Sequence, residues 1–375
     1  MLTKKVSIFM PDFNPGGAEH VMVTLGNHLV VNNYLVEFIV TRHEGPLIER
    51  LNDSIRVVSL DCSLSNSIFP LISYLRKSRR DVLISTLKEC NLYSIIGRYF
   101  TKNEFKLVIR EANTPSAEYF YEKTLKDKIK NYFVRRLYKK SDQVIALSHL
   151  MKQELVSQIG VSEKKISVVG NPVDIDNIYR LSSEPLSDRE KAFFDLYDSK
   201  LILSVGRFSK VKNFKFGIDL LNLLKKNGLH YGYVIVGDGI EKANLVEKVE
   251  ASGLSEQVLF VGYQKNPFKY LSRGNVFLMP SLYEGLPNVL LQAISLKLKV
   301  LVSDSPGAGP LLTRDSKAGL VYSYNDLSDA VTKFIEIEEE SFDMNFSFEY
   351  IKSNFSQEKI LGVYLDLIED LIDEG

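Results

Sequence analysis

Two cations and one carboxylate stand out as residues that could do chemistry. Arg207 follows an apolar run at 201–205, and Lys212 precedes a helical pattern at 214–226, within Ser204-Val205-Gly206-Arg207-Phe208-Ser209-Lys210-Val211-Lys212-Asn213. Cations so placed project from the carboxyl edge of a sheet. An Arg that forks onto oxygens and a Lys that acts as a point charge suit a departing diphosphate, which gains negative charge as its bond to a sugar breaks. A solvated basic loop has the same composition, and Lys210 reads as part of one. The carboxylate is Glu284, in Pro280-Ser281-Leu282-Tyr283-Glu284-Gly285-Leu286-Pro287-Asn288-Val289-Leu290-Leu291-Gln292-Ala293. It follows the apolar run 276–279 and stands just before a helix. Glu284 is placed to accept hydrogen bonds from sugar hydroxyls, and the N–H groups from Gly285 to Asn288 can hold a phosphate or carboxylate. Gln292 lies about two helical turns beyond Glu284. It could reach a ribose, although an ordinary surface helix residue has the same spacing.

A third signal is Asn14-Pro15-Gly16-Gly17-Ala18-Glu19, which ends one apolar run and opens a helix. Adjacent glycines let backbone N–H groups approach an anion, and the helix N-terminus adds a favourable dipole. The G-x-G-x-x-G fingerprint of dinucleotide sites is absent. A glycine pair of this kind is also a common structural turn.

These residues need rigid elements behind them. The N-terminal half alternates apolar runs at 6–10, 35–41, 55–60, 81–86, 106–110, 143–147 and 166–169 with helical patterns between most of them. A second series has runs at 201–205, 233–236, 258–261, 276–279, 300–303 and 320–322. Continuous apolar runs indicate parallel strands covered by helices on both faces. The fold class is therefore α/β, with two doubly wound Rossmann-like domains in series and a cleft between them as the ligand site. The division read from the sequence is an N-terminal domain at 1–180 on the acceptor side and a polar linker at 181–198. A C-terminal donor-side domain follows at 199–345, and C-terminal helices at 346–375 pack back towards the first domain.

The 375 residues suffice for two cores, with 45% hydrophobic residues. The two cysteines, Cys62 and Cys90, fit a reducing compartment and lack metal-site spacing. The run at 6–10 is too short for a signal segment, and no run reaches transmembrane length. The expected location is cytoplasmic. Net charge is zero, yet residues 1–180 hold 26 Lys and Arg against 19 Asp and Glu, and the remainder holds 21 against 28. Such an imbalance points the first half towards an anionic partner.

The run around Glu284 resembles the retaining, GT-B-type glycosyltransferases of family 4, especially those of bacterial surface-polysaccharide assembly. Tyr-Glu-Gly-Leu-Pro-Asn-Val-Leu at 283–290 matches the front of their signature, in which two glutamates bracket seven residues. Gly16-Gly17-Ala18-Glu19, Ala146-Leu147-Ser148, Gly170-Asn171-Pro172-Val173-Asp174, Gly206-Arg207-Phe208 with Lys212, and Gly237-Asp238-Gly239 fall in the family's order. The resemblance covers nearly the whole chain. It implies that Arg207 and Lys212 bind the diphosphate of a nucleotide-sugar, most simply a UDP-sugar, and that Gly16, Gly17 and Gly206 line it. Glu284 would hold the transferred sugar, with backbone from Gly285, Leu286, Pro287 and Asn288. Gly262 and Tyr263 would cover the base, and Gln292 the ribose. Transfer would retain anomeric configuration by same-face attack, a donor phosphate oxygen taking the acceptor proton. No cofactor or metal is required, and the acceptor is a lipid-linked sugar or polysaccharide.

The chain departs from the family in three places. Gln292 replaces the second signature glutamate and keeps an acceptor oxygen without the charge. Residues 305–312, Ser-Pro-Gly-Ala-Gly-Pro-Leu-Leu, stand where relatives often carry Gly-Pro-x-Glu-Ile. No histidine occurs at 108–113, where some relatives present one, so Glu111 or Asn113 is the acceptor-side candidate; pairing of Glu111 with a cation such as Arg110 is the competing reading.

The segment 123–140 has Leu125, Ile129, Phe133 and Leu137 at helical spacing among Lys123, Lys126, Lys128, Lys130, Arg135, Arg136, Lys139 and Lys140. A core-packed helix explains the apolar stripe by itself. Peripheral contact with an anionic membrane, at the inner face of the cytoplasmic membrane, adds a role for the charge. Nucleic-acid binding has no recognisable base-reading module behind it. Two other functions compete with sugar transfer: a non-catalytic partner protein on a glycosyltransferase scaffold, and an NAD-dependent oxidoreductase, for which Gly237-Asp238-Gly239 is a poor fingerprint.

Overall fold

The apolar runs fold as strands, the inner ones buried along nearly their whole length and the edge ones only in part. In the computed structural model, which describes residues 4–115 and 124–373, the first seven are β1 (Lys5–Met10), β2 (Leu35–Val40), β3 (Arg56–Ser59), β4 (Val82–Thr86), β5 (Lys106–Arg110), β6 (Gln143–Ala146) and β7 (Ile166–Val168). They form one parallel sheet in the order β3-β2-β1-β4-β5-β6-β7. Six more, β8 (Leu201–Val205), β9 (Gly232–Val236), β10 (Val258–Gly262), β11 (Val276–Met279), β12 (Lys299–Ser303) and β13 (Gly319–Tyr322), form a second parallel sheet in the order β10-β9-β8-β11-β12-β13. Each sheet reverses its winding once, between β1 and β4 in the first and between β8 and β11 in the second. Loops diverge there at the carboxyl ends of the strands and leave a crevice for ligand.

Two compact units result, one of residues 1–172 with 358–375, the other of Val173–Gln357. The stretch 181–198, expected to be a linker, is instead structured within the second unit. Its helix Asp188–Leu196 opens with a capping box between Ser187 and Glu190. Phe194 is buried beside Tyr270, whose hydroxyl donates to Glu190 at 2.6 Å. The expected C-terminal helices divide between the units. Met344–Phe355 stays with the second, packed on the helix Asn288–Ser295. Gln357–Asp373 lays Ile360, Leu361, Tyr364, Ile368 and Leu371 into the core of the first.

The helix Leu125–Leu137 also differs from its sequence reading. Lys123 lies outside the described residues, and the side chain of Lys126 is not described. The core-facing residues are Asn131 and Val134, with Tyr138 just beyond, while Leu125, Ile129 and Phe133 face outward. The apolar stripe is therefore not the buried one. Among the described residues, no helix is long and apolar enough to cross a membrane. Cys62 and Cys90 are free thiols, and burial pushes the Cys90 thiol well up.

Candidate functional site

The second unit's crevice is built from three loops. The first leaves β8 at Gly206. Arg207 is exposed, but Phe208 is fully buried against Phe214 and Phe260, with ring centroids 5.5 and 6.0 Å away. This apolar anchor fixes the backbone between the two cations. The chain then turns through a short 3-10 segment, Lys210–Lys212, and enters the helix Phe214–Lys226 from Asn213, which takes a left-handed conformation at φ 50°. The side chain of Lys212 runs back across Gly206: a Cβ at 206 would sit 3.2 Å from Lys212 Cε. A side chain at 206 would press on the lysine, which would have to give way by a few tenths of an ångström.

The second loop leaves β11. The Leu282 N–H donates to Val211 O at 2.7 Å, which ties this loop to the first. Lys212 Nζ meets Glu284 Oε1 at 2.5 Å, and the Ser281 hydroxyl donates to the same oxygen at 2.9 Å. Lys212 and Glu284 are both mostly shielded from solvent, whereas Ser281 is buried. The third loop leaves β12. The Glu284 N–H donates to Pro306 O at 3.1 Å, and the Ala308 N–H donates to Gly285 O at 2.9 Å. Gly307, at φ 132°, packs directly on the Glu284 backbone, where a Cβ would lie 2.9 Å from the carbonyl carbon. The segment 305–312 thus braces the Glu284 loop, although it lacks the family's glutamate.

Of the residues singled out in the sequence, Lys212 and Glu284 are in direct contact, and Gly206, Gly285 and Arg207 belong to the same loops. Leu286 and Pro287 are buried, and the helix opens at Asn288; Gln292, half-buried, lies one turn further on. Gly262 ends β10, two strands from β8, and Tyr263 follows it; Gly262 has φ 73° and Tyr263 is exposed. Gly237 and Gly239 have φ 143° and 155° and lie directly against the backbone of Gly206 and Phe208, where a side chain would clash. Between them, hydrogen bonds from Lys242 and the Gly239 N–H hold the Asp238 carboxyl below its usual range. Sequence reading passed over Phe208, Ser281 and Gly307 as site residues. The burial of Phe208 was readable from its apolar type; the other two depend on how distant loops meet.

The first unit is arranged differently. Gly16 caps the helix Gly17–Val31, and the carboxylate of Glu19 curls back over it, filling the space a Cβ would take. His20, in the same turn, is lowered to about 4 by burial and by Arg50, so it carries no charge near neutral pH. Glu111 is buried, accepting from the Tyr138 hydroxyl at 2.7 Å and from the Ala112 N–H at 3.1 Å. Its neighbour Arg110 is buried too, donating to Tyr364 Oη, Thr86 Oγ1 and Asn171 Oδ1 at 3.1, 3.2 and 2.6 Å. Asn113 is half-buried two residues on. Among the described residues, no group of three or more His, Cys, Asp and Glu side chains is placed to hold a metal ion.

Comparison with known proteins places this architecture. Residues 15–177 match the model of glycosyltransferase family 4, and residues 188–347 match that of glycosyl transferases group 1. The chain is 28% identical over 338 residues, 85% of its length and 86% of the relative's, to the Campylobacter jejuni N-acetylgalactosamine-N,N'-diacetylbacillosaminyl-diphospho-undecaprenol 4-alpha-N-acetylgalactosaminyltransferase. It is 23% identical over 313 residues, 80% of its length and 79% of the relative's, to the Escherichia coli UDP-Gal:alpha-D-GlcNAc-diphosphoundecaprenol alpha-1,3-galactosyltransferase. The fold of Anabaena HepE, solved in complex with UDP-glucose, superposes with a TM-score of 0.78 at 14% identity, covering 98% of this chain and 99% of that one. With the two family models together spanning most of the sequence and the two parallel sheets matching, the chain belongs to the GT-B-type glycosyltransferases of family 4.

Proposed function

We propose that the protein moves a sugar from a UDP-sugar to a lipid-linked acceptor, with retention of anomeric configuration, in the assembly of a bacterial surface polysaccharide. The observation that carries this reading is the meeting of Lys212 and Glu284 at the β8–β11 crevice, within loops tied together by the Leu282–Val211 hydrogen bond. Lys212, with Arg207 beside it, neutralises the departing diphosphate. Glu284 takes hydrogen bonds from hydroxyls of the transferred sugar, and the backbone from Gly285 to Asn288 supports it. Gly262 and Tyr263 line the base, and Gln292 the ribose. Glu111 is walled in by Tyr138, so of the two acceptor-side candidates Asn113 is the better placed to meet the acceptor.

The donor and the acceptor draw support from relatives. The Escherichia coli relative is described as using UDP-Gal, and both relatives as acting on diphosphoundecaprenol-linked sugars. Such acceptors place the enzyme at a membrane face, and peripheral contact on the cytoplasmic side belongs to the same reading. The cations supply the charge that a metal would otherwise bring, and the proposed transfer requires neither metal nor cofactor.

The test is a thermal-shift screen against UDP-, GDP- and ADP-sugars, followed by transfer to diphosphoprenyl-linked sugars and assignment of the product anomer by NMR. A ligand that binds the folded state raises the midpoint by mass action. Stabilisation by a UDP-sugar and an α-linked product from an α-donor are expected. Binding without turnover on any donor would favour the non-catalytic partner instead.

A further inference from the structure

The helix Leu125–Leu137 carries an apolar ridge on the side opposite its core contacts. Leu125, Ile129, Tyr132 and Phe133 recur at i, i+4, i+7 and i+8, so they share one face. Their exposures are 73, 51, 57 and 46%. Half a turn around the helix, Asn131 and Val134 face the core. Single exposed hydrophobic side chains are ordinary, but four large ones along one outward stripe mark an interaction surface.

The flanking charge identifies the partner. Lys128, Arg135, Arg136, Lys139 and Lys140 are all exposed on this helix and the turn that ends it. The Arg136 guanidinium lies over the Tyr132 ring at 5.8 Å, and the Tyr132 and Phe133 rings meet edge-on at 5.8 Å. Protein interfaces deplete lysine at their centres. An anionic bilayer takes both features: the ridge enters the headgroup–acyl boundary while the long cationic stems keep their heads among phosphates. The surplus of positive charge in residues 1–180 acts in the same direction.

We infer that this helix is the element by which the protein docks, in the plane of the interface, on a membrane containing anionic phospholipid. The inference rests on the proposed lipid-linked acceptor for its biological setting, but its test does not require turnover. Full-length protein is sedimented with vesicles of phosphatidylglycerol and phosphatidylcholine, and with phosphatidylcholine alone. Wild type should prefer the anionic vesicles and release only partly at high salt.

Ile129→Glu with Phe133→Glu should weaken vesicle binding by about tenfold or more at both salt concentrations. Lys128→Glu with Arg136→Glu should weaken it about as strongly at low salt, since each basic residue near an anionic surface contributes about fivefold, and less at high salt. Both variants change exposed residues, so thermal midpoint and UDP-sugar hydrolysis should stay at wild-type values. Wild-type protein that ignores anionic vesicles, or an Ile129→Glu/Phe133→Glu variant that binds them normally, overturns the inference. So does a wild-type oligomer that this variant makes monomeric, because the ridge would then be a protein contact. A preparation that sediments with vesicles yet transfers no sugar would count against the proposed activity and leave the docking face standing.

Discussion

The two sheets share a winding order and a reversal point, yet they treat charge in opposite ways. At the β8–β11 crevice the second unit keeps Lys212 and Glu284 paired but within reach of solvent, with Arg207 exposed on the same loop as Lys212. Near the carboxyl end of β5 the first unit buries Arg110 and Glu111 completely and satisfies them with hydroxyls, an amide and backbone N–H groups. A buried, fully bonded ion resists movement and is strongly unfavourable to leave unpaired. A pair that keeps some access to solvent can exchange partners when a ligand arrives. The comparison separates buried charges that hold structure from partly exposed charges that are available for chemistry, although both stand at the carboxyl ends of strands in sheets of the same winding.

The sharpest way to break that comparison is at Arg110. Arg110→Ala removes the donor that Tyr364, Thr86 and Asn171 share and opens a cavity, so stability should fall by about 4 kcal/mol. Tyr364 sits on the C-terminal helix, and loss of this anchor should show as a lower urea midpoint for the first unit. An unchanged midpoint would mean that the network holds nothing. Next in size, Arg207→Ala or Lys212→Ala should each lower turnover about a hundredfold, near 2.7 kcal/mol of barrier, with the urea midpoint unmoved. Near wild-type turnover in both variants would remove the diphosphate assignment.

The same contrast explains what could be read from the residues. All thirteen apolar runs anticipated as strands are strands among the described residues, because parallel strands buried on two faces leave an unbroken apolar signature. Arg207, Lys212 and Glu284 could be singled out as candidates because loop residues at strand ends carry local sequence context. The helix Leu125–Leu137 misled for a physical reason: its buried side holds the polar Asn131, and its outer side holds leucine, isoleucine and phenylalanine. Periodicity gives a face but not the direction it points. The bracing of Glu284 by Gly307 was hidden because it joins the loop after β11 to the loop after β12, and no local pattern records such a meeting.

Ser281 offers a finer test of the second unit. Its hydroxyl shares Glu284 Oε1 with Lys212, so Ser281→Ala should let the carboxylate rotate away without removing any charge. A loss of about tenfold in kcat/KM for the UDP-sugar is expected, with affinity for UDP itself unchanged. Equal losses for sugar donor and free nucleotide would show a general disturbance of the loop, not the positioning of one carboxylate.

The smallest effect is expected at Gln292, where the chain departs from its family. Gln292→Glu keeps shape and restores a charge one helical turn inside the helix Asn288–Ser295. Hydrogen bonds from hydroxyls to an ionised acceptor are stronger than those to an amide, but the charge must be held at a half-buried position. These terms oppose each other. Donor affinity should therefore rise by only about threefold, with kcat unaltered, as read by titration with a UDP-sugar. If the glutamate instead abolished activity, the crevice would have been rebuilt around the amide, and the division between a structural first unit and a chemically available second one would have to admit a fixed, non-exchangeable residue on the second side.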